Sequence, residues 1–225
     1  MVIMDETFSK HLYRLALPIW EAQYDHPFVR GIGEGTLDLK RFKFWIRQDY
    51  LFLIDYARLL AMAVVRAPDL PAMRRFADLA QSTLSVEMEL HRSYAAEFGI
   101  TEQELETEEK APTTRGYTDF LLRVASTGEF PELIAGLLPC IWGFSELGQR
   151  LARSRPADER YARWIDMYSS VEFAEQAAWC RELVDQAAAG LPQDALRRME
   201  EAFLTSSRYE YLFWEMAWQQ QRWPV

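Results

Sequence analysis

Apolar residues recur at spacings of three and four from one end of this chain to the other, and stretches that alternate polar with apolar are hard to find. Helix side chains return to one face about every 3.6 residues and strand side chains every two, so this period points to an all-α fold. The spacing predicts helices near residues 5–24, 38–67, 69–97, 112–127, 130–154, 158–188 and 192–220. Punctuation supports the divisions. The stretch GIGEGTLD leads into Asp38 as a helix cap, Asp69 and Pro71 open the third helix, and Gly99 and Gly190 stand where helices close. The acidic connection EFGITEQELETEEKAPTT has room for a short helix of its own. With 225 residues, 49% of them hydrophobic, and no shift in composition, we expect one helical domain over residues 1–225. Ligand sites in such bundles lie between helices in the core.

Charge narrows the partners. A formal net charge of −9 without a basic run argues against nucleic acid, whose phosphates need clustered Lys and Arg, and leaves a small neutral or cationic ligand. No stretch approaches the length of apolar sequence a membrane span needs, and the N-terminus MVIMDETFSK has no export pattern, so a cytoplasmic protein is expected. Two cysteines, Cys140 and Cys180, are too few for a disulfide framework or a thiolate zinc site.

The informative residues of a bundle are polar groups that fall on an apolar stripe, because burying an unpartnered charge is costly. Asp49 shares a face with Trp45, Phe52 and Tyr56. Glu210 falls on the stripe of Phe203, Phe213, Trp214 and Ala217, whereas Glu215 points elsewhere. Cys140 lies on the stripe of Leu137, Phe144, Leu147 and Leu151, one residue after Pro139, which removes the helical hydrogen bond to the Ala135 carbonyl. Each has a plainer reading. Free cysteines are usually packing, as Cys180 is expected to be, and the two acids could pair with arginines such as Arg47 or Arg58. Glu87 and His91, with Glu146, Glu172 and Glu175, raise a di-metal centre as an alternative, although a ferritin-like site wants Glu-x-x-His on two helices. His26 before Pro27 reads as a cap or turn residue, and His11 lacks any feature that would support haem ligation.

Five segments then point to a family. HPFVRGIGEGTLDLKRFKFWIRQDYLFL (26–53), EMELHRSYAAEFGI (87–100), TTRGYTDFLL (113–122), LLPCIWGFSELG (137–148) and SSRYEYLFWEMAW (206–218) together resemble the TenA/Thi-4 family of thiaminase II or aminopyrimidine aminohydrolases, over nearly the whole chain and in the same order. The resemblance implies a haem-oxygenase-like helical bundle, a homotetramer, and hydrolysis of 4-amino-5-aminomethyl-2-methylpyrimidine, or of thiamin, to the 5-hydroxymethyl pyrimidine in thiamin salvage. It places the nucleophile at Cys140, the acid/base at Glu210, the ring-binding acid at Asp49, and the enclosing aromatic residues at Phe52, Tyr117 and Tyr168. Phe144 stands where many members have tyrosine, so a hydroxyl near the thiol is expected to be missing. Glu87 and His91 are expected to make a structural contact. Neither metal nor organic cofactor is implied. Because one fold hosts several chemistries, a di-metal oxidase and a non-catalytic pyrimidine-binding protein stay open as alternatives.

Overall fold

A computed structural model describes residues 6–225; the expected helix start at residue 5 lies outside the described residues. The described residues form α1 (Phe8–Tyr24), α2 (Pro27–Glu34), α3 (Leu39–Arg66), α4 (Leu70–Ser82), α5 (Met88–Glu97), α6 (Glu102–Thr107), α7 (Pro112–Thr127), α8 (Phe130–Leu151), α9 (Glu159–Tyr168), α10 (Val171–Ala188) and α11 (Gln193–Gln219), with no strand among them. A π-helical turn (Thr83–Glu87) joins α4 to α5, and a 3-10 turn (Ala152–Ser154) follows α8.

The caps act as the residue types dictate. Asp38 and Asp69 accept hydrogen bonds at 2.8 Å from the amides of Lys40 and Ala72, covering donors the first helical turn leaves unpaired. Thr101 and Glu104 form a reciprocal capping box on α6, the short helix expected in the acidic connection. His26 caps α2, its Nδ1 accepting from the Phe28 amide, while its Nε2–H donates to Glu215 at 3.0 Å.

Three departures from the expected elements bear on the site. The glycine-rich approach to Asp38 is mostly helix: Gly31 and Gly33 lie within α2, and only Gly35, at φ 71°, ends it. A Cβ on Gly31 would come within 3.0 Å of Leu37, so this glycine permits a tight turn into α3. The expected helix over 158–188 breaks at Ser169 and Ser170, and the Ser170 side chain caps α10. The expected helix over 69–97 is interrupted by the π turn. Buried positions Ala72, Phe76, Leu79 and Thr83 keep α-helical phase before it, whereas Met88, His91 and Ala95 follow one residue later than that phase would place them. The extra residue of a π turn shifts the register of everything after it.

Helices α3, α8 and α11 carry the site. Helix α8 packs against α3, α7, α9, α10 and α11, and α3 also packs against α4, α5 and α7. Pro139 sits within α8 without ending it. Gly148 fixes how closely α8 meets the α9–α10 corner, since a Cβ there would lie 2.5 Å from the Tyr168 carbonyl carbon and 2.7 Å from the Ser169 nitrogen. Backbone cannot rotate away from such a clash. Gly148→Ala is expected to destabilise the protein by about 1–3 kcal/mol. A urea denaturation midpoint equal to that of the wild type would refute this close approach.

Candidate active site

Helices α3, α4, α8, α9 and α10, together with the π turn, enclose a narrow cavity of about 560 Å³, mouth included. Of the residues expected at the site, Asp49, Phe52, Cys140, Phe144 and Tyr168 line it. Tyr117 and Glu210 do not: they form a layer next to it, with the Tyr117 ring packed on Phe52 at 5.0 Å and its hydroxyl donating to Glu210 Oε1 at 2.5 Å. Glu210 is buried on α11 as its stripe predicts.

Neither acid is held by an arginine. Arg47 bonds Glu108 and Arg58 bonds Asp55, so both side chains are engaged elsewhere. Asp49 instead meets His91, with Oδ2 2.7 Å from Nε2, while His91 Nδ1 lies 2.9 Å from the Glu87 carbonyl oxygen. A carbonyl oxygen only accepts, so Nδ1 carries a hydrogen and Asp49 and His91 share a second proton between them. Burial disfavours the imidazolium, but the hydrogen bond and charge of Asp49 outweigh it and raise the His91 pKa. The expected structural contact of Glu87 and His91 is therefore only part of the arrangement: His91 is the counter-ion of Asp49.

The remaining groups divide by environment. Burial, reinforced by the Asp49 charge, pushes the Glu210 carboxyl up to about 8, against the opposing Tyr117 hydrogen bond. Cys140 is half-buried, its accessible surface turned to the cavity, while Cys180 is buried and burial pushes its thiol up to about 12. Burial, followed by the charges of Glu210, Glu87 and Asp49, holds the Cys140 thiol well above its ordinary range. The Tyr56 hydroxyl acts on that thiol in the opposite direction. This corrects the expectation drawn from Phe144: the hydroxyl near the thiol comes from α3, where Tyr56 lines the cavity and also donates to the Leu137 carbonyl at 3.3 Å.

The sequence reading left Glu87 out of the site, although the structure puts it on the cavity wall. Its Oε1 accepts from the Tyr168 hydroxyl at 2.8 Å, and burial and the Asp49 charge push its carboxyl up to about 7, against His91 and Tyr168. Ser82, Thr83, Met167, Phe173 and Gln176 complete that side. The signal in the sequence was the Glu87–His91 pair itself, at i and i+4 on one expected helix, but which groups it meets depends on how the π turn and α5 pack against α3 and α9. The residues considered for a di-metal centre do not converge. His91 is occupied at both nitrogens, Glu146 accepts from Trp142, and among the described residues no three His, Cys, Asp or Glu side chains gather where a metal ion could sit. His11 is likewise engaged, by Glu200 and Arg14.

Residues 14–220 match the model of the TENA/THI-4/PQQC family. The chain belongs to that family. A relative in Halalkalibacterium halodurans, named aminopyrimidine aminohydrolase, is 46% identical over 96% of this chain and 98% of its own. Among solved structures, a TenA homologue protein from P. horikoshii OT3 superposes with a TM-score of 0.88 at 29% identity, covering 95% of this chain and 99% of that one. A Shewanella denitrificans domain described as having a haem-oxygenase-like fold superposes at 0.73 with 12% identity, covering 97% and 94%, which bears out the expected fold. The family's helical bundle is thus the frame that brings Asp49, Cys140 and Tyr168 to one cavity. No helix among the described residues is long and apolar enough to cross a membrane.

Proposed function

We propose that this protein hydrolyses an aminopyrimidine, releasing an amine or a thiazole from the 5-methylene of 4-amino-2-methylpyrimidine and leaving the 5-hydroxymethyl compound, as in thiamin salvage. The observation that carries the reading is a half-buried thiol opening into an aromatic-walled cavity that also holds a carboxylate, with a second buried carboxyl in the adjoining layer. The near full-length similarity to a protein named aminopyrimidine aminohydrolase supports it.

The chemistry follows from the protonation states. A thiol held neutral by burial adds across the electron-poor ring: Sγ bonds to carbon and the thiol proton ends on a ring nitrogen. The ring, no longer aromatic, has an electron pair to expel the leaving group. Glu210, protonated at neutral pH, supplies the proton an amine needs in order to leave. Water then adds to the exocyclic methylene and returns a proton to the Glu210 carboxylate. Expulsion of Cys140, with the proton from the ring nitrogen, restores the aromatic ring and the thiol. One carboxyl thus acts first as acid and then as base, which its raised pKa permits. The reading requires the methylene side of the substrate to come within reach of Glu210.

Asp49 binds the ring. Oδ2 is engaged by His91, and the carboxylate's remaining acceptor capacity can take an N–H of the 4-amino group. Asp49→Asn is expected to raise KM about tenfold, the scale of a hydrogen bond to a charged group, with a smaller effect on kcat. Steady-state kinetics with unchanged KM would remove Asp49 from binding.

The reaction itself is tested by incubating purified, metal-depleted protein with the aminomethyl pyrimidine and, in parallel, with thiamin. Hydroxymethylpyrimidine is followed by chromatography and mass. Its release from either substrate is expected, and the two rates rank the leaving groups. No product from folded protein would overturn the hydrolase reading, and binding without turnover would favour a pyrimidine-binding protein.

A further inference from the structure

The mechanism above leaves Glu87 without a task, although it shares the cavity wall with the groups that have one. The only hydrogen bond its carboxyl makes among the described residues is with Tyr168, itself on the wall and packed against Phe144 at 4.9 Å and Phe173 at 5.2 Å. A phenol has a single hydrogen, and at present it is directed to Glu87 Oε1. While Glu87 is a carboxylate it takes that hydrogen, and the Tyr168 oxygen can offer the cavity only lone pairs. Once Glu87 is a carboxylic acid, its own hydrogen can go to the Tyr168 oxygen, and the phenol hydrogen is free to turn to the cavity.

We propose that Glu87 sets the hydrogen-bond polarity of Tyr168, making it a donor to a pyrimidine ring nitrogen when Glu87 is protonated and an acceptor when it is not. The inference rests on the aminopyrimidine reading. With Asp49 on the amino group, the unmatched polar atoms of a neutral pyrimidine are nitrogen lone pairs, which need a donor. Glu87 is a positioning residue for that contact, acting through Tyr168.

The groups around Glu87 are consistent with a switch in the neutral range. Asp49 on α3 pushes its carboxyl up, His91 on α5 and Tyr168 on α9 pull it down, and burial leaves it at about 7. Tyr56 on α3 and Cys140 on α8 face the same cavity, Glu210 on α11 lies in the adjoining layer, and α4 and α10 contribute the uncharged polar residues Ser82 and Gln176. Tyr56, Tyr168 and Cys140 are all held in their neutral forms. The sign follows: below about pH 7 Tyr168 is a donor, and above it an acceptor.

The test is calorimetric binding of 4-amino-5-hydroxymethyl-2-methylpyrimidine to wild type, Glu87→Gln, Tyr168→Phe and the double variant between pH 6 and 8. A glutamine amide can donate to the Tyr168 oxygen at any pH, so it holds the donor arrangement. The wild-type Kd divided by the Glu87→Gln Kd is expected to grow about fivefold as pH rises across this range, the scale of one hydrogen bond. Protonation of the ligand itself occurs in both proteins and cancels in the ratio; an effect of the lost Glu87 charge on His91 does not cancel, and the Tyr168→Phe background isolates it, because such an effect persists without the hydroxyl. In the Tyr168→Phe background the corresponding ratio is expected to stay flat. A constant ratio in the wild-type background, or the same growth without the Tyr168 hydroxyl, would overturn this role for Glu87 while leaving the pyrimidine reading intact. No binding to the wild type at any pH would overturn both. If a Glu87 variant does not fold, the wild type against Tyr168→Phe reads the same quantity: the penalty for losing the hydroxyl must shrink as pH rises, and a constant penalty counts against the switch.

Discussion

Replacing Cys140 with serine is expected to lower turnover of the aminomethyl pyrimidine by on the order of a hundredfold or more, with ligand binding largely kept. Oxygen in place of sulfur preserves the size and the position on the α8 stripe, but it is a much weaker nucleophile toward a ring carbon. The environment sharpens the expectation. Burial and the charges of Glu210, Glu87 and Asp49 hold the thiol in its neutral form, so the cavity does not store a thiolate waiting for electrophiles. The nucleophile arises only as its proton moves to the substrate. Slow alkylation by iodoacetamide near neutral pH should therefore accompany full activity, an unusual combination for a nucleophilic cysteine. Cys180 provides the control: it is buried among apolar neighbours on α10, and Cys180→Ala is expected to leave kcat close to that of the wild type. A Cys140→Ser enzyme with near-wild-type turnover would show that the thiol is packing.

Glu210→Gln is expected to cost on the order of a hundredfold in kcat, because the glutamine amide neither protonates a leaving amine nor takes a proton from water. Its pH dependence is the more specific signature. With its carboxyl pushed up to about 8, Glu210 is protonated through the neutral range and becomes ionised above it. Catalysis that needs the acid form should therefore fall as pH rises through about 8, and this alkaline limb should be absent from the residual activity of Glu210→Gln. Thiamin offers an internal comparison, since a thiazole leaves its quaternary nitrogen without requiring a proton there. The variant should accordingly lose less with thiamin than with the aminomethyl compound. An unchanged limb in the variant would assign the ionisation to another group, and an unchanged kcat would remove Glu210 from the mechanism.

Both predictions concern residues that could be picked out without coordinates, and the reason is local. Asp49, Cys140 and Glu210 each fall on the apolar stripe of their own helix, and the face a side chain occupies depends only on its position in a periodic segment. The caps at Asp38 and Asp69 and the closures at Gly99 and Gly190 are legible on the same grounds, because each rests on a few neighbouring residues. Helix α2 was hidden by its own composition. Two of its glycines are placed for close approach to Leu37 and Leu151 rather than for a turn, and that requirement arises from parts of the chain outside the helix.

The helical period, the inward faces of α3, α8 and α11, and the family's sequence motifs were thus determined by the order of residues alone. Tertiary structure decided which inward groups meet. It paired Asp49 with His91 instead of an arginine, set the Tyr56 hydroxyl beside the thiol where Phe144 has none, and put Tyr117 and Glu210 in a layer next to the cavity. It also put Glu87 on the cavity wall, with its carboxyl against the Tyr168 hydroxyl. Periodicity describes each helix about its own axis, whereas partners and pKa values depend on how helices cross and on the field of charges buried between them.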